Sequence, residues 1–176
     1  MSLSIEAALK TAIDFEKRIK EIYKEASKQA QDPVGRRVFA ALAEEEQGHL
    51  DYLRSRLREW QNTGRITPEK LGTAIPPKKV IEREMEAIKE QVHSHDFDKS
   101  KNTELKMLNS ALEVEIETSD FYKRMVEELP REGQALFKRF VEIEDGHQAI
   151  VQAEIDYISG PGYWFDFREF DLSGGA

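Results

Sequence analysis

The chain has 176 residues, a net charge of −8, 34% charged residues and no cysteine. That length favours one domain with one substantial core, and the missing thiols exclude disulfides, thiolate metal sites and iron–sulfur clusters within these residues. No apolar run approaches the ~18 residues that read as a membrane span, and an acidic chain without Lys/Arg clusters is a poor match for nucleic acid. The opening MSLSIEAALK lacks a basic stretch followed by an apolar one, so no secretory signal is expected and the default address is cytoplasmic. Any metal must be held by oxygen and nitrogen.

From Ser4 to Ala30, apolar residues at Ile5, Leu9, Ala12, Phe15, Ile19, Ile22, Tyr23 and Ala26 recur at intervals of three and four, the spacing of one helical face. Asp32-Pro33 ends that helix and starts another, with Asp32 as N-cap and Pro33 at the first helical position. The second helix runs to about Gln61 on a stripe of Val38, Leu42, Leu53, Leu57 and Trp60. So short a link predicts an antiparallel hairpin. Residues 62–101 then form a crossover, opened by Thr63-Gly64 and broken by Pro68, Pro76 and Pro77. At ~3.3 Å per residue, about thirteen extended residues return along a helix of ~42 Å. The spare length predicts an extra helix in KKVIEREMEAIKEQVHS, with Val80, Ile81, Met85 and Ile88 on one side. A second hairpin follows: about Thr103 to Leu129, a break at Pro130, then about Glu132 to Ser159. Leu108, Leu112, Tyr122 and Met125 face Phe137, Phe140, Ile150 and Val151. The predicted fold is all-α, a ferritin-like four-helix bundle over residues 1–159 in which one long crossover joins two antiparallel hairpins.

The two hairpins carry the same residues. AIDFEKRIKEIYK (12–24) aligns without a gap on ALEVEIETSDFYK (111–123), pairing Ala12 with Ala111, Glu16 with Glu115 and Tyr23 with Tyr122. Downstream of each copy comes one Glu-x-x-His, Glu46 to His49 and Glu144 to His147, and the two glutamates of a copy lie 30 residues apart in one half and 29 in the other. In an antiparallel hairpin such separations bring them to one level, and residues three apart share a helix face. Glu16 and Glu115 interrupt apolar stripes, and a buried carboxylate is normally paired or bound to metal. Two divalent cations would offset four carboxylates and leave both imidazoles neutral, the state that ligates. A lone Glu-x-x-His is usually a solvated pair; two in register with matched glutamates predict a two-metal site of Glu16, Glu46, His49, Glu115, Glu144 and His147.

Tyr23 and Tyr122, two turns past their glutamates, read as core tyrosines with bonded hydroxyls rather than redox groups, and a ligand carboxylate is a candidate acceptor. Gly48 and Gly146 each cost a helix about 1 kcal/mol relative to Ala, which suggests close approach of a neighbouring side chain or oxidant. His93 and His95 could form an extra metal pair but read more simply as exposed. Glu44, Glu45, Glu113 and Glu117 read as a solvated face.

By Glu16, Glu46-x-x-His49, Glu115 with Phe121-Tyr122, and Glu144-x-x-His147, the chain resembles the rubrerythrin-like branch of the ferritin-like superfamily. The resemblance implies that Glu46 and Glu144 bridge two irons, with Glu16 and His49 completing one and Glu115 and His147 the other. It also implies an oxidoreductase that reduces peroxide or dioxygen, or oxidises ferrous iron. Two departures stand out: no cysteine-rich rubredoxin module feeds the site, which calls for a separate electron donor protein, and Thr118 stands where rubrerythrins carry a further glutamate. Manganese and zinc also suit Glu/His ligands. An iron-handling ferritin relative, a dimanganese catalase-like enzyme and a helical interaction module stabilised by metal therefore stay open.

Gly160-Pro161-Gly162 ends the last helix, and residues 160–176 form a tail holding Tyr163, Trp164, Phe165, Phe167 and Phe170 within eight residues. Such a cluster is expected to leave water by packing on its own bundle or on a second subunit. Five aromatics exceed what one groove readily covers, so a homodimer is expected.

Overall fold

The computed structural model describes residues 4–67, 69–89, 102–165 and 167. Among them are five helices and no strand: α1 (Ile5–Gln29), α2 (Pro33–Thr63), α3 (Lys78–Lys89), α4 (Asn102–Glu128) and α5 (Arg131–Ser159). Helix α1 packs along α2 and α4 along α5, α1 also meets α4, and α3 lies on α5. This is the ferritin-like bundle with a helix in its crossover. None of the described helices is long and apolar enough to cross a membrane.

Local chemistry sets the ends. The Ser4 hydroxyl accepts from the Ala7 amide at 3.1 Å, and the Asp32 carboxylate accepts from the Val34 amide at 2.8 Å with Pro33 opening α2, so both helices start on side-chain caps. The α1–α2 turn is also braced from the other hairpin. The buried Glu104 of α4 accepts from the amides of Gln31 and Asp32 at 2.9 and 3.2 Å. Helix α3 buries Ile81 and Met85, while the side chain of Ile88, the expected helix beyond Lys89, and His93 and His95 lie outside the described residues.

The apolar interior falls into two clusters, one around Tyr23, Phe39, Leu108 and Ile150, the other around Leu9, Leu53, Tyr122, Phe137 and Phe140. Along every long helix the polar site residues fall where one cluster gives way to the other: Glu16 between Ile13 and Ile19, His49 just before Leu50, Glu115 just after Val114, Glu144 just after Ile143. The stripes differ in detail from those expected. Phe15, Ile22, Leu57, Trp60 and Leu112 are only partly buried, whereas Phe39 and Leu50 are fully enclosed, because each helix faces two neighbours and the buried arc is wider than one row of three-four spacing.

The described part of the tail, residues 160–165 and 167, lies on its own subunit. Trp164, Phe165 and Phe167 are buried, Trp164 edge-on to Phe39 with centroids 5.2 Å apart, and the Phe165 amide donates to the buried Glu154 at 2.8 Å. Tyr163 is exposed and Phe170 lies outside the described residues. Three of the five aromatics thus leave water without a partner, and a homodimer is not needed to cover them. Trp164 fits because α2 carries no side chain where the indole crosses it: a Cβ on Gly35 would stand 2.6 Å from the ring. Gly35→Ala is expected to dislodge Trp164 and destabilise the fold by about 1–3 kcal/mol, the usual cost of overpacking, outweighing a helix-propensity gain of at most about 1 kcal/mol. Urea unfolding with the tryptophan emission spectrum measures both; unchanged stability and emission would contradict this seat for the tail.

Candidate metal centre

Helices α1, α2, α4 and α5 each turn acid into the core at one level. Glu16, Glu46, His49, Glu115, Glu144 and His147 are all at most 1% exposed. His49 and Glu46 sit one turn apart on α2, His147 and Glu144 one turn apart on α5, so each imidazole shares a face with its glutamate. Nδ1 of His49 lies 2.9 Å from Glu46 Oε2, 3.2 Å from Glu16 Oε2 and 3.7 Å from Glu144 Oε1. Nδ1 of His147 lies 2.8 Å from Glu46 Oε1 and 3.6 Å from Glu115 Oε1. The two carboxylate oxygens of Glu46 therefore face different histidines. The rings stack with centroids 5.1 Å apart.

Two sets of donor atoms drawn wholly from these six residues could each hold an ion within a 4.8 Å span: Glu16, Glu46, His49 and Glu144, and Glu46, Glu115 and His147. Glu46 belongs to both. Several of these atoms have no hydrogen-bond partner, among them both oxygens of Glu46 and Glu144, one of Glu115, and Nδ1 of His147, whose short contact to Glu46 lacks hydrogen-bonding angles. Unsatisfied buried carboxylate oxygens are costly, and this many converging on one spot is the pattern of a metal-ligating donor set. The residues present fit a pair of oxygen- and nitrogen-ligated metals.

The tyrosines complete the set in a crossed fashion. Tyr23 of α1 donates its hydroxyl to Glu115 of α4, and Tyr122 of α4 donates to Glu16 of α1. As one residue number rises the other falls, so α1 and α4 run antiparallel, and each tyrosine steadies the glutamate of the opposite half rather than its own. Burial, then the neighbouring carboxylates, lifts both phenols well above the usual tyrosine range, so they hold their protons as donors.

Electrostatics in the metal-free chain follow from burial. Desolvation, then the charge of Glu46, pushes Glu16 up to about 8. Glu144 is driven well above the usual carboxylate range by burial and by Glu115. Burial opposes ionisation of Glu46 too, but the charges of His49 and His147 beside it hold it well below that range. Burial likewise works against the imidazolium ions, yet Glu46 and Glu16 raise His49 to about 10 and Glu46 raises His147 well above the usual value. Protons stand in for metal.

Around the six the surroundings are apolar on one side and polar on the other. Phe140 meets His49 edge-on at 5.6 Å and Tyr122 at 5.0 Å. On the other side the crossover comes in: a Cβ on Gly146 would meet the Pro76 carbonyl oxygen at 3.0 Å, so this glycine admits the crossover backbone, while Gly48 faces open space. Close approach is thus served at one of the two glycines, and by backbone. Glu45, expected on a solvated face with Glu44, Glu113 and Glu117, is instead 16% exposed at its side chain and 4.0 Å from His147 Nε2. It accepts from Thr73 Oγ1 at 2.7 Å and the Ala74 amide at 3.0 Å. Glu154 is a further buried acid that the motif pattern does not single out, although it continues the α5 stripe of Glu144, His147 and Val151 at helical spacing.

Among known protein families, the Rubrerythrin model matches residues 7–155. The chain belongs to the rubrerythrin family. No curated protein and no solved structure matches it. Rubrerythrins bind two irons, and the matched span contains the six converging residues Glu16, Glu46, His49, Glu115, Glu144 and His147. Thr118 is buried and donates to the Val114 carbonyl at 2.8 Å.

Raised pKa values make the metal-free rubrerythrin fold pH-sensitive in a definite direction. Glu16 and His49 rise from 4.5 and 6.5 to about 8 and about 10. Their stabilising contributions are therefore complete below the unfolded values and fade as pH climbs through the folded ones. Calorimetry of the chelator-stripped chain should show the melting temperature falling between about pH 6 and about pH 9; a flat or rising trend would contradict the buried, proton-compensated site.

Proposed function

We infer that this rubrerythrin is a non-haem diiron oxidoreductase that reduces hydrogen peroxide with ferrous iron. The observation that carries the reading is Glu46, whose two oxygens face His49 and His147 separately, as a carboxylate shared between two ions would. On this reading Glu46 and Glu144 would be shared by the two ions, with Glu16 and His49 holding one and Glu115 and His147 the other.

Converting peroxide to two waters takes two electrons and two protons, and bound ferrous ions would supply the electrons, one each. The protein's part is to orient and to exclude. Tyr23 and Tyr122 pin one oxygen of Glu115 and of Glu16, which fixes the rotamer of each carboxylate and leaves its second oxygen for ligation. Phe140, Phe137 and Tyr122 pack at centroid distances of 5.0 to 6.5 Å and close the apolar side against water. These residues hold no cysteine, so electrons returning the metals to the ferrous state come from a donor outside them.

A second reading is favoured by Thr118, whose hydroxyl is spent on the Val114 carbonyl. With one carboxylate fewer than rubrerythrins carry, the site would lean toward oxidising ferrous iron with dioxygen and passing it on. Anaerobic titration of the ferrous protein with hydrogen peroxide separates the readings. A peroxidase oxidises two ferrous ions per peroxide without releasing dioxygen; a catalase-like site releases dioxygen and leaves the metals unchanged; a site that reacts with dioxygen far faster than with peroxide favours iron oxidation. Glu115→Gln should lower affinity for one of the two irons at least roughly 100-fold, since even partners of ligands are worth 10–100-fold, and slow peroxide consumption with it. Two tightly held irons in the variant would remove Glu115 from the ligand set.

A further inference from the structure

All six residues of the centre are sealed from solvent, so a hydrated cation has no first contact on any of them. Shedding water before meeting a ligand is costly for a divalent ion, and a buried site filled from solution therefore needs a donor that touches both. Among the groups of described residues that could hold a metal, only one has a member outside the sealed core: Glu45 with His49 and His147, whose donor atoms lie within 4.8 Å of one another. Glu45 borders a hollow of about 690 Å³ formed by α2 and the crossover, with Glu44, Thr73, Ala74 and Pro76 on its wall. On its inner side Glu45 Oε2 stands 4.0 Å from His147 Nε2.

The two imidazoles point the right way. Nδ1 of each ring is turned to the inner carboxylates, at 2.9 Å from Glu46 for His49 and 2.8 Å for His147, which leaves Nε2 as the outward nitrogen. Both Nε2 atoms are buried and have no hydrogen-bond partner. Thr73 and Ala74 hold the Glu45 carboxylate in place by two hydrogen bonds, and one lone pair of Oε2 remains after the Thr73 bond. His147 belongs both to this outer group and to the inner one with Glu46 and Glu115.

We propose that Glu45, with the outward nitrogens of His147 and His49, is a landing site through which divalent cations pass between the hollow and the diiron centre. It rests on the diiron reading and adds to it a route and a first ligand. A group that acts only in transit lowers the barrier in both directions, so its loss slows uptake and release by the same factor and leaves the equilibrium affinity unchanged. A residue that merely positions His147 behaves differently, because its loss changes affinity, by 10–100-fold in known cases.

Cobalt(II), which shows its binding in visible absorbance, is a suitable probe with the full chain. Release is followed from the loaded protein into excess chelator, and uptake by stopped flow after chelation. Glu45→Gln should slow both by about tenfold at unchanged stoichiometry and affinity, with the melting temperature confirming the fold. Glu44→Gln, which takes the same charge from the wall of the hollow without approaching His147, should leave both rates near wild type. The proposal is overturned if Glu45→Gln leaves the rates unchanged, if it lowers affinity instead, or if Glu44→Gln slows transfer equally, which would mean diffuse charge attraction. Should the wild type bind no cobalt at the centre, the diiron reading itself falls; wild-type binding of two ions with unaltered Glu45→Gln kinetics removes the landing site alone.

Discussion

Four carboxylates held out of water against two imidazoles are the constraint on which the rest of this structure depends. Each of the six side chains is at most 1% exposed, and a buried charge without compensation is among the costliest features a fold can carry. Without metal, burial and the neighbouring charges favour the protonated forms of Glu16, Glu144, His49 and His147, which supplies that compensation. Divalent cations would displace those protons. The bundle must therefore hold the same cavity under two charge states, and the aromatic packing of Phe137, Phe140 and Tyr122 on one side with the crossover on the other gives it walls that do not depend on the occupant.

The constraint also explains the crossed tyrosines. A glutamate anchored only by its own helix has three rotatable bonds and no fixed direction. Tyr23 and Tyr122 remove that freedom from across the α1–α4 contact, and because the two helices run antiparallel, one spacing of seven residues serves both halves. The duplication seen in the sequence becomes in three dimensions a two-fold arrangement in which neither half can form its site alone.

Much of this is legible in the order of the amino acids. Helix bounds follow from Asp32-Pro33, Pro130 and Gly160-Pro161-Gly162 because caps and breakers act locally, and the convergence of six buried Glu and His side chains at one level follows from two copies of one pattern at matched depth. What the pattern does not carry is contact between segments far apart in sequence. Phe39 and Leu50 escape it because a helix in a bundle buries a wider arc than a single stripe. Glu45 reads as a surface charge because nothing nearby in the chain announces Thr73 and Ala74. The seat of Trp164 on Gly35 depends on where the tail lands, and the brace of Glu104 on the α1–α2 turn spans the whole second helix and crossover.

Membership of the rubrerythrin family and the convergence of the six donors leave one central claim: two irons sit side by side at the junction of the two core clusters. Anomalous diffraction at the iron edge from crystals of the anaerobically loaded protein tests it most directly. Two peaks are predicted, roughly 3.5–4 Å apart, with Glu46 within bonding distance of both and the histidines bound through Nδ1. A single peak, or peaks elsewhere with the six side chains still in contact only with one another, would contradict it.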